Sequence, residues 1–237
     1  MKTINYLKIA VIFIGIAIVL GACGRSKRAT AGNSNVQTAL INGAVYNFDG
    51  IELVYVEGKG DIMCFYIGKY LVTQEQWQAV MGANPSIFNG ENLPIENVSW
   101  NDAQEFFSKL NARSGRNYRL PTEAEWEFAA GGGIVESFCT DGCLYSGSDY
   151  PDGVGWFDAN SNNRTQPVGT KHANELGIYD MSGNLWELTN DLYDDGAVIH
   201  VRGGCWASPA EDCNIKHFYN NSPNDRNQYL GFRVVLP

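Results

Sequence analysis

Gly177-Ile-Tyr-Asp-Met-Ser-Gly-Asn-Leu-Trp-Glu187 is the stretch of sequence that decides the fold of this chain. Its Gly, Asn and Ser residues are typical of an irregular loop, and Trp186 is the kind of residue that anchors such a loop to a core. Further distinctive stretches accompany it, namely Tyr118-Arg-Leu-Pro-Thr-Glu-Ala-Glu-Trp-Glu-Phe-Ala129, Arg202-Gly-Gly-Cys-Trp206 and Gly231-Phe-Arg-Val-Val235. These stretches, more than any periodicity, carry the information about the fold.

Short helices are predicted by Ser/Thr-x-x-Glu/Gln patterns, in which the first side chain caps a free backbone amide and the fourth reaches back. One such pattern begins at Thr73 and another at Thr122. Between them, Ser99 or Asn101 begins a helix whose apolar residues recur at helical spacing until Gly115. The buried face of the first helix is expected to contain Trp77, Val80 and Met81.

Strands are predicted where short β-prone stretches occur, at residues 51–56, 64–68, 199–202 and 232–236. Long loops rich in Gly, Asn, Asp and Ser separate them. Together with the short helices, this pattern predicts an α+β fold with much irregular structure. Loops of that length need bound ions, disulfides or buried aromatic anchors to hold them in place.

The composition is that of a globular domain. The chain has 237 residues, of which 44% are hydrophobic, and 17 Lys and Arg oppose 26 Asp and Glu for a net charge of −9. One domain of ordinary size is the expectation for this length. Phosphate binding needs a basic surface, and this acidic chain shows no basic stretch that could form one. The sequence therefore argues against a nucleic-acid partner.

Residues 1–22 have the features of a signal peptide. Lys2 and Lys8 precede an apolar run that is shorter than the roughly 20 residues of a membrane span. The run ends in Leu20-Gly-Ala-Cys23, which resembles the bacterial lipobox, and the alternative is an uncleaved anchor with an incidental cysteine. The resemblance implies that Cys23 is lipidated and attaches the protein to the bacterial envelope, at the outer membrane or the cell surface. Residues 23–44 then form a flexible linker, and residues 45–237 form the folded domain.

The distinctive stretches closely resemble, in the same order, the signature segments of the formylglycine-generating enzyme family, also called sulfatase-modifying factors. The resemblance covers about residues 50–237. It implies an irregular α+β fold related to C-type lectins, with short helices and strands, long loops and a calcium-stabilised loop core. In the active enzymes it also implies oxidation of a sulfatase cysteine to formylglycine.

The resemblance implies a copper site that this chain does not fully reproduce. In active members, two cysteine thiolates hold Cu(I), for which soft thiolate ligands are well suited. Counting from Arg202 places Ser208 at the first of these positions and Cys213 at the second. Cys205 falls where the family has a serine near the oxygen site. The first ligand would therefore be a hydroxyl, which binds Cu(I) weakly.

Three interpretations of these cysteines are open. In the first, Cys213 is a core residue and the copper site is lost. In the second, Cys205 and Cys213 form a structural disulfide, as an oxidising exported setting would allow. In the third, the same two cysteines form a displaced copper pair.

The family resemblance also implies a calcium loop. Asp180, Gly183, Leu185 and Glu187 occupy the positions that bind Ca²⁺ in the family through side-chain oxygens and backbone carbonyls. Oxygen ligands in an irregular loop suit this hard ion. The alternative is that Glu187 is a solvated acid and Gly183 only a turn residue.

The remaining cysteines are expected to have structural roles. Cys139 and Cys143 lie within disulfide reach of each other in a glycine-rich loop and are predicted to form a disulfide. A metal site is less favoured, because no His or further Cys lies near them in the sequence. Cys64 is expected to be a buried packing residue.

The histidines suggest no catalytic centre. His172, His200 and His217 have no carboxylate at a spacing typical of zinc or iron sites, so packing or isolated polar roles are expected.

Two functions therefore remain as hypotheses. The first is an exported, lipid-anchored family member that has lost the copper oxidase and binds a protein or glycan ligand. The second is an active copper-dependent oxidase, with Cys213, Cys205 and Ser208 at its centre, that matures exported sulfatases.

Overall fold

The computed structural model describes residues 40–133 and 143–237. The helices in this part of the chain are α1 (Gln74–Met81), α2 (Trp100–Ser114) and α3 (Glu123–Ala130). The strands are β1 (Val45–Phe48), β2 (Ile51–Val56), β3 (Phe65–Gly68), β4 (Trp186–Tyr193), β5 (Val198–Arg202), β6 (Phe218–Asn221), β7 (Leu230–Gly231) and β8 (Val235–Leu236). The predicted α+β architecture with short elements and long loops is confirmed.

The helix starts agree with the capping patterns in the sequence. Thr73, Ser99 and Thr122 each accept a hydrogen bond from the backbone three residues on, and the side chain there bonds back to the cap. These reciprocal bonds satisfy amides that have no partner within the helix. Gly115 ends α2 with φ 71°, a left-handed conformation that glycine adopts easily.

The first sheet has the strand order β1-β2-β3-β8, with all neighbours antiparallel. The prediction for residues 51–56 is confirmed by β2. In the predicted strand 232–236 only Val235 and Leu236 pair with β3, so the sequence overestimated its length. Phe232 instead places its ring in the core against Phe106, with ring centroids 5.5 Å apart.

The second sheet has the order β6-β5-β4-β7 and contains strands that the sequence analysis missed. β4 begins at Trp186, inside the stretch that suggested a loop. Residues 186–189 are all buried, so β4 lacks the alternation by which a half-buried strand is recognised. β6 is short and largely exposed, which also conceals it from pattern analysis.

A buried ion pair joins the two sheets. Arg233, which precedes β8, forms two hydrogen bonds with the Glu187 carboxylate on β4, at 2.6 and 2.7 Å. Two further donors of the guanidinium bond the carbonyls of Gly68 and Tyr179. Both charged side chains are completely buried. The guanidinium thereby connects β4, the end of β3 and the loop before β4.

The structure corrects the expectation for Cys64 and leaves other predictions untested. Cys64 is half-buried and disulfide-bonded, so it is not merely a packing residue. Cys143 is also disulfide-bonded. Its predicted partner Cys139 lies outside the described residues, as do the signal peptide, Cys23 and most of the linker. Within residues 40–133 and 143–237, no helix is long and apolar enough to cross a bilayer.

We expect Arg233→Gln to destabilise the fold by about 3–5 kcal/mol, because it leaves the Glu187 carboxylate buried without its counter-charge. Urea denaturation followed by tryptophan fluorescence measures the change. Arg226→Gln is the matched control, since Arg226 pairs with Asp102 while 57% of its side chain is exposed. Equal losses in the two variants would contradict the structural importance of the buried pair.

Candidate functional site

The segment after β5 contains the residues to which the family resemblance assigned chemistry. It follows Arg202, the last residue of β5. The Arg202 side chain is buried and bonds Glu127 on α3 at 2.6 Å and the carbonyl of Ile215 at 3.0 Å. A second ion pair, at 3.2 Å, joins Arg202 to Glu123. These contacts fix the end of β5 against α3 and against the chain that follows Cys213.

Gly204 lets the chain pass directly over Cys213. Its φ is 76°, and a Cβ atom at this position would lie 2.5 Å from the Cys213 Sγ. Only glycine fits this combination of left-handed backbone and close approach. Cys213 lies at the end of a short 3₁₀ turn, Ala210–Cys213, and is completely buried with Tyr145, Val154 and Phe157.

Cys205 and Ser208 face each other across a tight turn. The Ser208 hydroxyl accepts the backbone N–H of Cys205 at 3.1 Å and lies 3.3 Å from its thiol. The N–H of Ser208 bonds the carbonyl of Cys205 at 3.0 Å. Ser208 is therefore part of the local hydrogen bonding, and its side chain is buried like those of the two cysteines.

Burial makes both cysteine thiols less acidic. It raises the pKa of Cys205, and it raises the pKa of Cys213 further, with Cys205 and Asp212 adding to the effect. At the two positions that the family resemblance assigns to copper, the donors are the Ser208 hydroxyl and the Cys213 thiol, and a hydroxyl is a poor ligand for the soft Cu(I) ion.

The structure contradicts the disulfide interpretation and agrees with the core interpretation, while the displaced copper pair stays a prediction. Cys205 and Cys213 are both free, so the structural disulfide between them is not formed. The core environment of Cys213 agrees with the interpretation of a packing residue. Across the described residues, no group of three or more His, Cys, Asp or Glu side chains could hold a metal ion.

At the predicted calcium loop, Asp180 has the property that a cation ligand needs. It is buried with a φ of 58°, and one carboxylate oxygen accepts the N–H of Gly169 at 2.8 Å. The other oxygen has no hydrogen-bond partner in the described part of the chain. Burial raises the pKa of Asp180 to about 6. A buried oxygen without a partner is costly, and a bound cation would compensate for that cost.

Glu187 does not fit the predicted ligand set. Its carboxylate is neutralised by Arg233, and a cation bound to it would lie against the guanidinium. Gly183 occupies a crowded position, where a Cβ atom would lie 2.2 Å from the carbonyl oxygen of Trp156. Calcium binding thus stays a prediction for Asp180 with the carbonyls of Gly183 and Leu185, without the Glu187 side chain.

Sequence analysis missed a polar network beside β5. One oxygen of Glu123 accepts the Tyr193 hydroxyl at 2.7 Å and lies 3.0 Å from the Nδ1 of His200. Burial works against ionisation of Glu123, but the bonds from Tyr193 and His200 and the charge of Arg202 prevail and lower its pKa. The hydrogen bond to Glu123 raises the pKa of Tyr193 to about 12. Glu123 and His200 lie 77 positions apart in sequence, so no local pattern could have indicated their contact.

Comparison with known proteins identifies the relatives of this chain. The model of the sulfatase-modifying factor enzyme 1-like domain matches residues 31–237. A protein of Paenibacillus barcinonensis named chaperone protein LppX is 35% identical over 94% of this chain and 97% of its own length. The inactive C-alpha-formylglycine-generating enzyme 2 of Bos taurus is 31% identical over 67% of this chain and 55% of its own.

A solved structure supports the same relationship. Variable protein 1 of Treponema denticola superimposes with a TM-score of 0.71 at 28% identity, covering 81% of this chain and 98% of that one. The predicted formylglycine-generating-enzyme fold is confirmed.

If Asp180 binds calcium, we expect millimolar CaCl₂ to raise the melting temperature by about 5 °C relative to EDTA, because the ion binds only the folded state. Asp180→Asn should abolish this difference, since the amide cannot supply an anionic oxygen. Asp225→Asn, at an exposed acid, is the matched control and should retain it. A wild-type melting temperature indifferent to EDTA would count against the site.

Proposed function

The chain belongs to the family of proteins with a sulfatase-modifying factor enzyme 1-like domain, and from that premise we propose that it is an exported, lipid-anchored protein that binds unfolded polypeptide and is not an oxidase. The observation that carries the proposal is Ser208 at the first copper-ligand position, bonded within its own turn. Cys213 is compatible with the proposal, because its side chain is completely buried beside Tyr145, Val154 and Phe157, as that of a packing residue would be. The fold then serves as a binding surface.

The type of ligand is proposed from the relatives. One relative, which matches 94% of this chain, is named a chaperone protein. Chaperones in general bind non-native polypeptide, which is the ligand proposed here. Another relative carries the word inactive in its name, so the family includes members without the oxidase. The first name supports a polypeptide ligand over a glycan, and the second supports the absence of the oxidase.

The location is proposed from the amino terminus. The apolar run that ends in Leu20-Gly-Ala-Cys23 supports export, cleavage and lipidation of Cys23. The polar residues after it would hold the domain away from the membrane surface on a flexible linker. A tethered domain of this kind can meet other exported proteins as they emerge unfolded in the envelope.

An assay with unfolded protein tests the proposed function. We expect the domain, residues 24–237, to reduce the light scattering of guanidinium-unfolded citrate synthase diluted into buffer, because it would bind exposed polypeptide segments. An equal concentration of serum albumin controls for crowding. No reduction beyond that of albumin would contradict the proposal.

A second assay with the same domain tests the competing oxidase function. A Cys-x-Pro-x-Arg peptide is incubated with the domain, Cu(I) and oxygen, and its mass is measured. The proposal predicts an unchanged peptide. Conversion of the peptide cysteine to an aldehyde would establish the oxidase instead.

Lipidation is tested on the full chain expressed in a bacterium that processes lipoproteins. We expect wild type to incorporate radiolabelled palmitate and to sediment with membranes. Cys23→Ser should lose the label, because it removes the only thiol at the proposed cleavage site. Ser34→Ala, in the linker, is the control and should behave like wild type. Label on the Cys23→Ser protein would refute the assignment.

A further inference from the structure

Within the described residues, the second sheet ends in a strand that has a neighbour on one side only. In the order β6-β5-β4-β7, β6 pairs with β5 on one side, and no strand of the described residues lies on its other side. Such an edge presents backbone N–H and C=O groups that another strand can use. Proteins usually protect edges with Lys, Pro or a bulge. β6 reads Phe-Tyr-Asn-Asn and has none of these within it.

Both aromatic residues of β6 are exposed. Phe218 retains 45% of its accessible surface and Tyr219 retains 52%. They point to opposite faces of the sheet, because neighbouring residues of a strand alternate. Tyr219 meets Trp186 edge to face at the rim of the main core, with ring centroids 5.2 Å apart. A strand added beside β6 would therefore find an exposed ring on each face.

On one face, Phe218 is the last ring of a stack that crosses the sheet. The rings of Tyr193 on β4 and His200 on β5 lie 4.1 Å apart, and those of His200 and Phe218 lie 4.2 Å apart. The planes are inclined by 19° and 29°, so the rings are stacked. Glu123 holds the inner part of this stack through its bonds to Tyr193 and His200.

The geometry of the sheet determines what would continue this stack. A strand added to an edge lies about 4.8 Å from it. A planar side chain on the added strand would thus stand at stacking distance from the exposed ring of Phe218. Aromatic rings and the guanidinium of Arg can both occupy such a position. The exposed end of the stack therefore favours an extended segment with planar side chains.

The charges around this edge favour a basic segment. Asp194 and Asp195 are exposed in the turn between β4 and β5, at the end of β5 that pairs with Asn221. At the other end of β6, Asp212 lies 3.6 Å from the His217 side chain. Lys216, an exposed cation two positions before β6, is already paired with Glu127. Acidic groups at both ends, in a chain with a net charge of −9, would attract Lys and Arg residues.

We propose that the open edge of β6 binds an extended, basic and aromatic segment of an unfolded polypeptide by pairing with it as an additional strand. This inference rests on the proposed function and specifies the surface and the chemistry of the segment that it binds. Backbone pairing would supply affinity for many sequences, and the Phe218 ring would supply the preference for planar side chains.

A synthetic peptide in which Phe and Tyr alternate with Lys and Thr tests the proposal by fluorescence anisotropy. We expect it to bind the wild-type domain, and Phe218→Ser to weaken binding at least about tenfold because the stacking surface is lost. Tyr150→Ser is the matched control, because Tyr150 is exposed by 79% and belongs to neither sheet. A peptide with the same side chains but alternate methylated backbone nitrogens should not bind, since it lacks the donors for strand pairing.

The outcomes separate this inference from the proposed function. Circular dichroism first establishes that Phe218→Ser is folded. Equal peptide affinity of wild type and Phe218→Ser, or undiminished binding of the methylated peptide, would overturn the edge as the binding surface. If wild type and Phe218→Ser suppress citrate synthase aggregation equally, the β6 edge is also overturned as the binding surface, but the proposed chaperone function is retained. Failure of the wild-type domain to suppress aggregation would instead reject the proposed function.

Discussion

The buried ion pair between Arg233 and Glu187 is the constraint on which the rest of the structure depends. Removing two charges from water is expensive, and it is tolerable here because each of the three guanidinium nitrogens donates a hydrogen bond to a nearby acceptor. Its acceptors belong to β4, to the end of β3 and to the loop before β4. A single side chain thus sets the position of one sheet relative to the other, and with it the start of β4.

The same ion pair explains why Glu187 does not fit the predicted calcium site. Glu187 resembles a calcium ligand when it is considered as part of a sequence pattern, but its charge is already compensated by Arg233. The unpaired oxygen of Asp180 is the remaining feature that suggests a cation. At the predicted copper position, Ser208 closes a turn and Cys213 is packed beneath Gly204. Both residues therefore have structural roles in this chain, while the binding activity is proposed at the edge strand β6.

Much of the local structure could be predicted because its causes are local. The caps at Thr73, Ser99 and Thr122 act within one helical turn, so their patterns were sufficient. β4 and β6 could not be predicted in the same way. One is buried at successive residues and the other is exposed, and neither shows the alternation on which strand prediction depends. The contact of Glu123 with His200 was likewise beyond any pattern, because it joins two distant segments.

The sequence by itself determined the family, the α+β class, the helix starts and the substitution at Ser208, because these depend on residue identity and on short-range order. Only the tertiary structure decided that Glu187 neutralises Arg233, that Cys205 and Cys213 are buried free thiols, and that Tyr193, His200 and Phe218 stack toward an open edge. Each of these facts depends on which groups that are far apart in the sequence come into contact in the fold. Burial and charge compensation result from these contacts, so they cannot be read from any single segment of the sequence.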